Sequence, residues 1–316
     1  MGLVPIETHT IVVPAGVDAA TEIPITTIRG DRPGPTLALV AGNHGYEYPP
    51  VLALQKLRID PARLAGTVIL VHAANMPSFL GRTVYFSPVD GKNLNRCYPG
   101  KPDGTVSERI AFAITTQVIE RCDYLLDLHC GDGNEWLRPY VYQTVTGRDE
   151  IDAANARLVL AFGIDHIVVD RSRPSDPAAS IYCSNTAITR GKPAATIESG
   201  FLGRTDDESV DRIVHGIHGV LRDLAMTEEG PEPLRRAVYL DPVEVITSPA
   251  SGILYPMVEP DQMVKECDPI ARITDFFGRD LATVSSPIAG KVLYIVATPP
   301  IVKGQPVGCV GTPAVA

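Results

Sequence analysis

Two histidines and a glutamate carry the strongest chemical signal in the sequence. Gly42-Asn43-His44-Gly45-Tyr46-Glu47 directly follows the apolar run Leu37-Ala38-Leu39-Val40-Ala41, and ligands gather at the carboxyl ends of strands in open α/β sheets. His44 and Glu47 stand three residues apart, close enough on a turn to bind one ion through an imidazole nitrogen and a carboxylate oxygen. Gly42 and Gly45 let the backbone turn tightly beside them. A second apolar run, Tyr124-Leu125-Leu126-Asp127-Leu128, ends in His129. Two imidazoles, one carboxylate and an open fourth position form the ligand set of a catalytic zinc, one ion per subunit. Asp127 or Asp132 could orient the second imidazole. Taken alone, the same residues also fit a hydrogen-bonded histidine at a strand end and a solvated carboxylate at a helix start.

Between the two histidine motifs lies a Pro/Gly-broken stretch containing Asn75-Met76-Pro77, Gly81-Arg82 and Asp90-Gly91-Lys92-Asn93-Leu94-Asn95-Arg96-Cys97-Tyr98-Pro99-Gly100. A loop dense in Asn and Arg beside a metal suits the gripping of a carboxylate, which the guanidinium fork pairs with bidentately. Without a flanking metal motif it would read as an ordinary surface loop. His215 and His218 have no acidic or cysteine partner at ligand spacing and read as part of an exposed helix. His72 reads as a core or supporting group, His166 as a strand start, and Asp170–Asp176 as a solvated loop.

The elements that must position these groups follow from hydrophobic periodicity. Strands are predicted at Thr36–Ala41, Thr67–His72, Tyr124–His129, His166–Asp170 and Ala194–Glu198, and helices at Pro50–Leu57, Ser107–Arg121, Glu150–Phe162 and Asp207–Ala225. This alternation predicts an α/β fold with a mostly parallel mixed sheet and helices on both faces. An acidic Pro/Gly-rich linker, Thr227 to Pro233, divides a catalytic domain at 1–230 from an all-β domain at 231–316. The tail holds two similar segments, Ser248-Pro249-Ala250-Ser251-Gly252 and Ser286-Pro287-Ile288-Ala289-Gly290. Val264-Lys265 and Val302-Lys303 follow them at the same offset, so one strand-turn unit occurs twice. The tail resembles the small β-barrel of biotinyl and lipoyl carrier domains, but lacks their cofactor lysine and reads as a cap.

Composition narrows the partners. With 45% hydrophobic and 21% charged residues in 316, the chain can bury a full core. No apolar run approaches the roughly 20 residues of a membrane-spanning helix. Met1 to Gly16 lacks a secretory leader pattern, and Ile6 does not fit myristoylation at Gly2. The six cysteines include no Cys-x-x-Cys pair and read as reduced. A net charge of −9 disfavours nucleic acid and anionic membranes. The expectation is a cytoplasmic protein whose partner is a small carboxylate-bearing molecule; a homo-oligomer is compatible with the sequence and not specified by it.

In this order the motifs resemble the succinylglutamate desuccinylase/aspartoacylase family, a branch of the zinc carboxypeptidase superfamily. They are Gly-x-His-Gly-x-Glu at Gly42 to Glu47, Asp-Gly-Lys-x-Leu-Asn-Arg at Asp90 to Arg96, His129, a late strand ending in Glu198, and the C-terminal β region. The resemblance implies that His44, Glu47 and His129 bind zinc, that Asn95 and Arg96 bind a substrate carboxylate, that Arg82 polarises the scissile carbonyl, and that Glu198 is the general base. Two departures are expected to affect substrate recognition rather than the metal: Asn93 where relatives often have Asp, and Tyr48-Pro49-Pro50 where they commonly have Gly. The family's tyrosine near the leaving group has no clear match among the 11 tyrosines. The implied activity is deacylation of a small N-acylated amino acid or related carboxylate. A carboxypeptidase acting on small peptides is the runner-up, and a non-catalytic metabolite-binding protein is the third reading.

Overall fold

The predicted strands become the middle of one thirteen-stranded sheet in the computed structural model, which describes residues 5–314. Met1 to Val4, where the leader and acylation readings begin, lie outside the described residues. Arg32–Ala41 sits between Ala65–Val71 and Tyr124–Gly131, parallel to both, and Ala194–Phe201 is parallel to Tyr124–Gly131 on its far side. Strands buried on both faces must be apolar throughout; accordingly Leu37, Ala38, Leu39, Val40 and Ala41 are all fully buried. Their carboxyl ends are therefore the places where polar side chains can emerge into a cleft.

Helices cover both faces. Asp207–Asp223 buries Val210, Ile213, Ile217 and Val220 at helical spacing, in the core that also holds Leu158 and Phe162 of Asp149–Phe162. On the opposite face Val106–Gln117, opened by a Thr105/Glu108 capping box, packs Ile110 and Ile114. A further short helix, Cys183–Thr189, was not legible in the periodicity.

The sheet is more mixed than the sequence suggested. Its first edge is an antiparallel hairpin, Ile6–Val13 with Thr21–Arg29, and Tyr140–Thr144 runs antiparallel to Ala194–Phe201. The passage at 227–233 has no helix or strand. The chain after it nevertheless rejoins the same sheet: Val238–Thr247 pairs in parallel with His166–Asp170 and antiparallel with Pro306–Pro313. Only four C-terminal strands form a separate sheet, packed over a core of Leu254, Ile273, Val292 and Val307. The two repeated turns fold alike, with Ser248 Oγ donating to the Ala250 carbonyl at 2.6 Å and Ser286 Oγ to the Ile288 carbonyl at 2.7 Å. Among the described residues, no helix is long and apolar enough to cross a membrane.

Candidate active site

Strand ends bring the remote residues together. Gly42 adopts a left-handed φ of 71° where Arg32–Ala41 breaks, and the chain then turns past Gly45. A Cβ at Gly45 would lie 2.3 Å from the Ser78 carbonyl oxygen, so only glycine admits this approach. The turn ends as Glu47 precedes the helix Tyr48–Lys56, where Pro49 and Pro50 occupy the first turn and need no backbone partner. Tyr48-Pro49-Pro50 thus starts a helix rather than shaping the cleft rim.

His44, Glu47 and His129 converge, with one potential donor atom from each lying within 4.8 Å of the others. His44 Nδ1 is 2.8 Å and His129 Nδ1 2.9 Å from the same Glu47 Oε1. The opposite ring nitrogens are held from behind, which fixes each ring's orientation. His129 Nε2 lies 2.9 Å from Asp127 Oδ1, resolving the choice between Asp127 and Asp132. Asp132 instead accepts from the backbone N–H groups of Tyr85 and Gly133, at 2.8 Å each. His44 Nε2 lies 3.0 Å from Asn93 Oδ1. The Asn93 departure therefore touches a candidate metal ligand directly, contrary to the expectation that it bears on the substrate alone; Arg96 is held by the Asn95 carbonyl instead.

The electrostatics favour a cation. Asp127, Asp132, Glu135, Glu198 and Glu47 surround two imidazoles. Burial pushes the Glu47 carboxyl up, but His129 and His44 together outweigh it and hold it below the usual carboxylate range. Burial likewise depresses His129, and Asp127 and Glu47 more than restore it, leaving it well above an ordinary imidazole. Glu198 is pushed far up by burial, with Glu47 and Glu135 adding to the effect and His129 opposing it. Two nitrogens and a carboxylate oxygen aimed at one point, amid surplus negative charge, suit a divalent metal of the zinc class.

The cleft around these donors is lined by Glu198, Asn95, Arg96, Arg173, Glu135 and five tyrosines, Tyr85, Tyr140, Tyr142, Tyr182 and Tyr294. Glu198 pairs in register with His129 on the adjacent strand, which places it beside the candidate ligands. Asn95 is buried; its Oδ1 accepts from the Cys183 N–H at 2.8 Å while Nδ2 lies 3.2 Å from His129 Nε2. Arg96 lines the cleft with its guanidinium 4.4 Å from the Tyr182 ring centroid. Arg82 is not brought to the cleft. It is the left-handed C-terminal residue of the helix Met76–Gly81, exposed, and borders a separate surface hollow with Tyr46, Tyr48 and Phe79.

Several cleft residues were missed. Arg173 comes from the segment read as a solvated loop and stacks on Tyr182 at 3.8 Å. Its clue was the arginine-rich run Arg171-Ser172-Arg173. Tyr294 belongs to the C-terminal region and reaches the cleft because Gly290–Val296 pairs with Glu135–Leu137. Glu135 had no signal beyond its nearness to His129. The remaining histidines stay outside: His72 Nε2 lies 2.8 Å from Thr26 Oγ1, and His166 lies between Asp165 and Arg138. Among the described residues no second cluster with metal-binding geometry occurs, and the six cysteines are free.

Comparison with known proteins shows the family. Residues 33–224 match the family model of the succinylglutamate desuccinylase/aspartoacylase catalytic domain. N-alpha-acetyl-L-2,4-diaminobutyric acid deacetylase of Halomonas elongata is 33% identical over 273 residues, spanning 84% of this chain and 78% of that protein. The product-bound ectoine utilization protein EutE (DoeB) of Ruegeria pomeroyi superposes with a TM-score of 0.85 at 25% identity, covering 97% of this chain and 95% of that one. A succinylglutamate desuccinylase/aspartoacylase from Rhodobacter sphaeroides gives the same TM-score at 24% identity, covering 98% and 96%.

Proposed function

Because this chain belongs to the succinylglutamate desuccinylase/aspartoacylase family, hydrolases of amide bonds, we propose that it is a zinc-dependent deacylase that removes a short acyl group from an N-acylated amino acid. The observation that carries this reading is the meeting of His44, Glu47 and His129 at one point, with Glu198 alongside His129 on the next strand. The acetyl group is favoured by the Halomonas elongata relative, whose name specifies an N-acetylated amino acid.

His44 and His129 would hold zinc through Nδ1, and Glu47 through its carboxylate. When bound, the ion supplies Lewis acidity, which lets water lose a proton near neutral pH. Glu198 is the group positioned to accept that proton and return it to the departing nitrogen. Arg96 and Arg173, both stacked on Tyr182, offer the planar donors that suit the substrate carboxylate. Tyr294 brings the C-terminal region to the cleft wall, a placement that favours a small substrate over a peptide and a deacylase over a carboxypeptidase. The net charge of −9 is consistent with a small, locally attracted anion and with a cytoplasmic protein that binds neither nucleic acid nor membrane.

The test is to load the purified protein with zinc and assay release of free amine from N-acetyl amino acids and from dipeptides. Metal-dependent turnover of the acetyl compounds is expected, abolished by a chelator and lowered at least about 10²-fold in E198Q, with zinc content unchanged. Normal turnover in E198Q would remove it as the base. Hydrolysis of dipeptides alone would replace the deacylase reading with a carboxypeptidase.

A further inference from the structure

Glu135 lines the cleft, yet neither the motif nor the proposed chemistry uses it. Its Oε1 accepts a short hydrogen bond from the Tyr85 hydroxyl. Among the described residues no lysine, arginine or histidine pairs with it. The preceding residue, Asn134, has its side-chain Oδ1 buried with no partner. A buried carboxyl group therefore rests on one phenol with no cation to answer it, a costly arrangement unless a ligand supplies the charge.

This arrangement is built rather than incidental. Tyr85 occupies a left-handed φ of 57°, unusual for a bulky residue and held by the bond from its N–H to Asp132. Glu135 is aligned with Val296 across the strand pairing, and the Ala297 N–H donates to the Asn134 carbonyl at 2.9 Å. The C-terminal region thus fixes the backbone of both residues. Tyr85 meets His44 edge-on, with ring centroids 6.0 Å apart, so the acidic group flanks the His44 side of the donors. Arg96 bonds the carbonyl of Asn95, whose side chain reaches His129, and Arg173 shares the Tyr182 ring with Arg96, so both guanidinium groups belong to the His129 side. The cleft consequently has a basic pole suited to a carboxylate and a separate acidic pole.

We infer that Glu135, oriented by Tyr85, receives a positively charged group on the substrate side chain, so that this enzyme selects N-acylated amino acids bearing an amine. The inference rests on the deacylase reading for its substrate class. A substrate with an acidic side chain would instead bring a second carboxylate against Glu135 and Asp132, a like-charge contact that opposes binding.

The experiment compares Nα-acetyl-2,4-diaminobutyrate with Nα-acetylnorvaline, which replaces the ammonium by a methyl group, and with Nα-acetylaspartate, on the zinc-loaded full chain. The wild type should favour the amine substrate over norvaline in kcat/KM by about 10- to 100-fold, as expected for a hydrogen bond to a charged partner, with aspartate poorest. E135Q should bring the amine and norvaline rates within about threefold of each other by slowing the amine alone, and Y85F should narrow the gap less. Equal slowing of both substrates in E135Q would make it a structural support and overturn the inference, as would a wild type indifferent to the amine, a comparison that needs no variant. Calorimetric binding of the three compounds is measured in parallel. Amine-selective binding without turnover of any of them would sink the deacylase reading while sustaining the amine site; turnover without amine selectivity would do the reverse.

Discussion

His129 and His44 offer the same ring atom to the same glutamate oxygen, but the protein holds them by different means. His129 ends a strand inside the sheet, its side chain 3% exposed, and is backed by Asp127, which is fully buried and also accepts from Asn43 Nδ2 and the Ser184 N–H. His44 lies on a turn, 11% exposed, and is backed by the neutral amide of Asn93 on a loop. A charged acceptor inside a satisfied network locks one imidazole into the core, where losing any member strands several donors. A single amide at the rim leaves the other ring adjustable, with less at stake in folding.

The difference can be broken most forcefully at Asp127. D127A should destabilise the protein by roughly 3–5 kcal/mol, because it leaves the Asn43, Ser184 and His129 groups buried without their acceptor. Urea unfolding measures this, and a loss under about 1 kcal/mol would mean that the two histidines are not supported differently. Asn93 should be milder for folding and specific to metal: N93A is expected to weaken zinc binding about 10- to 100-fold in chelator competition with little change in stability. N93D, supplying a charged acceptor, should tighten it. Should N93A leave zinc affinity intact, the hydrogen bond to His44 would have no supporting role.

The His44 side should also show in the pH dependence of the metal-free protein. Burial raises the Glu135 carboxyl from 4.5 to about 7, against the hydrogen bond from Tyr85 and with help from Asp132. The folded chain then keeps this proton in the window from pH 4.5 to 7, where the unfolded chain has already released it. The resulting stability is full below 4.5 and lost as pH rises through 7. Raised His44 and His129 act in the same direction. Glu135 alone should account for about 2–3 kcal/mol of lost stability between pH 5 and 8, and E135Q should remove that share; an unchanged pH slope in E135Q would disprove the assignment. The smallest effect belongs to Arg82. It lies on the outer side of the His44 turn, so R82A should change kcat/KM by less than about threefold, whereas a loss of 10²-fold or more would show that this arginine does swing into the cleft.

The sequence by itself determined the candidate ligands and the framework beneath them. Apolar runs ending in His44 and His129 specify buried parallel strands whose carboxyl ends open on a cleft, and the glycines at 42 and 45 specify a sharp turn. Both are local: burial on two faces demands an unbroken apolar run, and a backbone approach of 2.3 Å demands the absence of a Cβ. Only the tertiary structure decided which groups stand behind those donors and which line the cleft. Asp127 was chosen over Asp132, Asn93 was assigned to His44, Arg82 was left on the surface, and Arg173, Tyr294 and Glu135 were drawn in from segments with no motif. Asn93 meets His44 from 49 positions away, and Tyr294 arrives beside Glu135–Leu137 across a strand pairing between the main sheet and the C-terminal region. Periodicity records which face of an element is buried, but carries no information about what distant side chain will be packed against it.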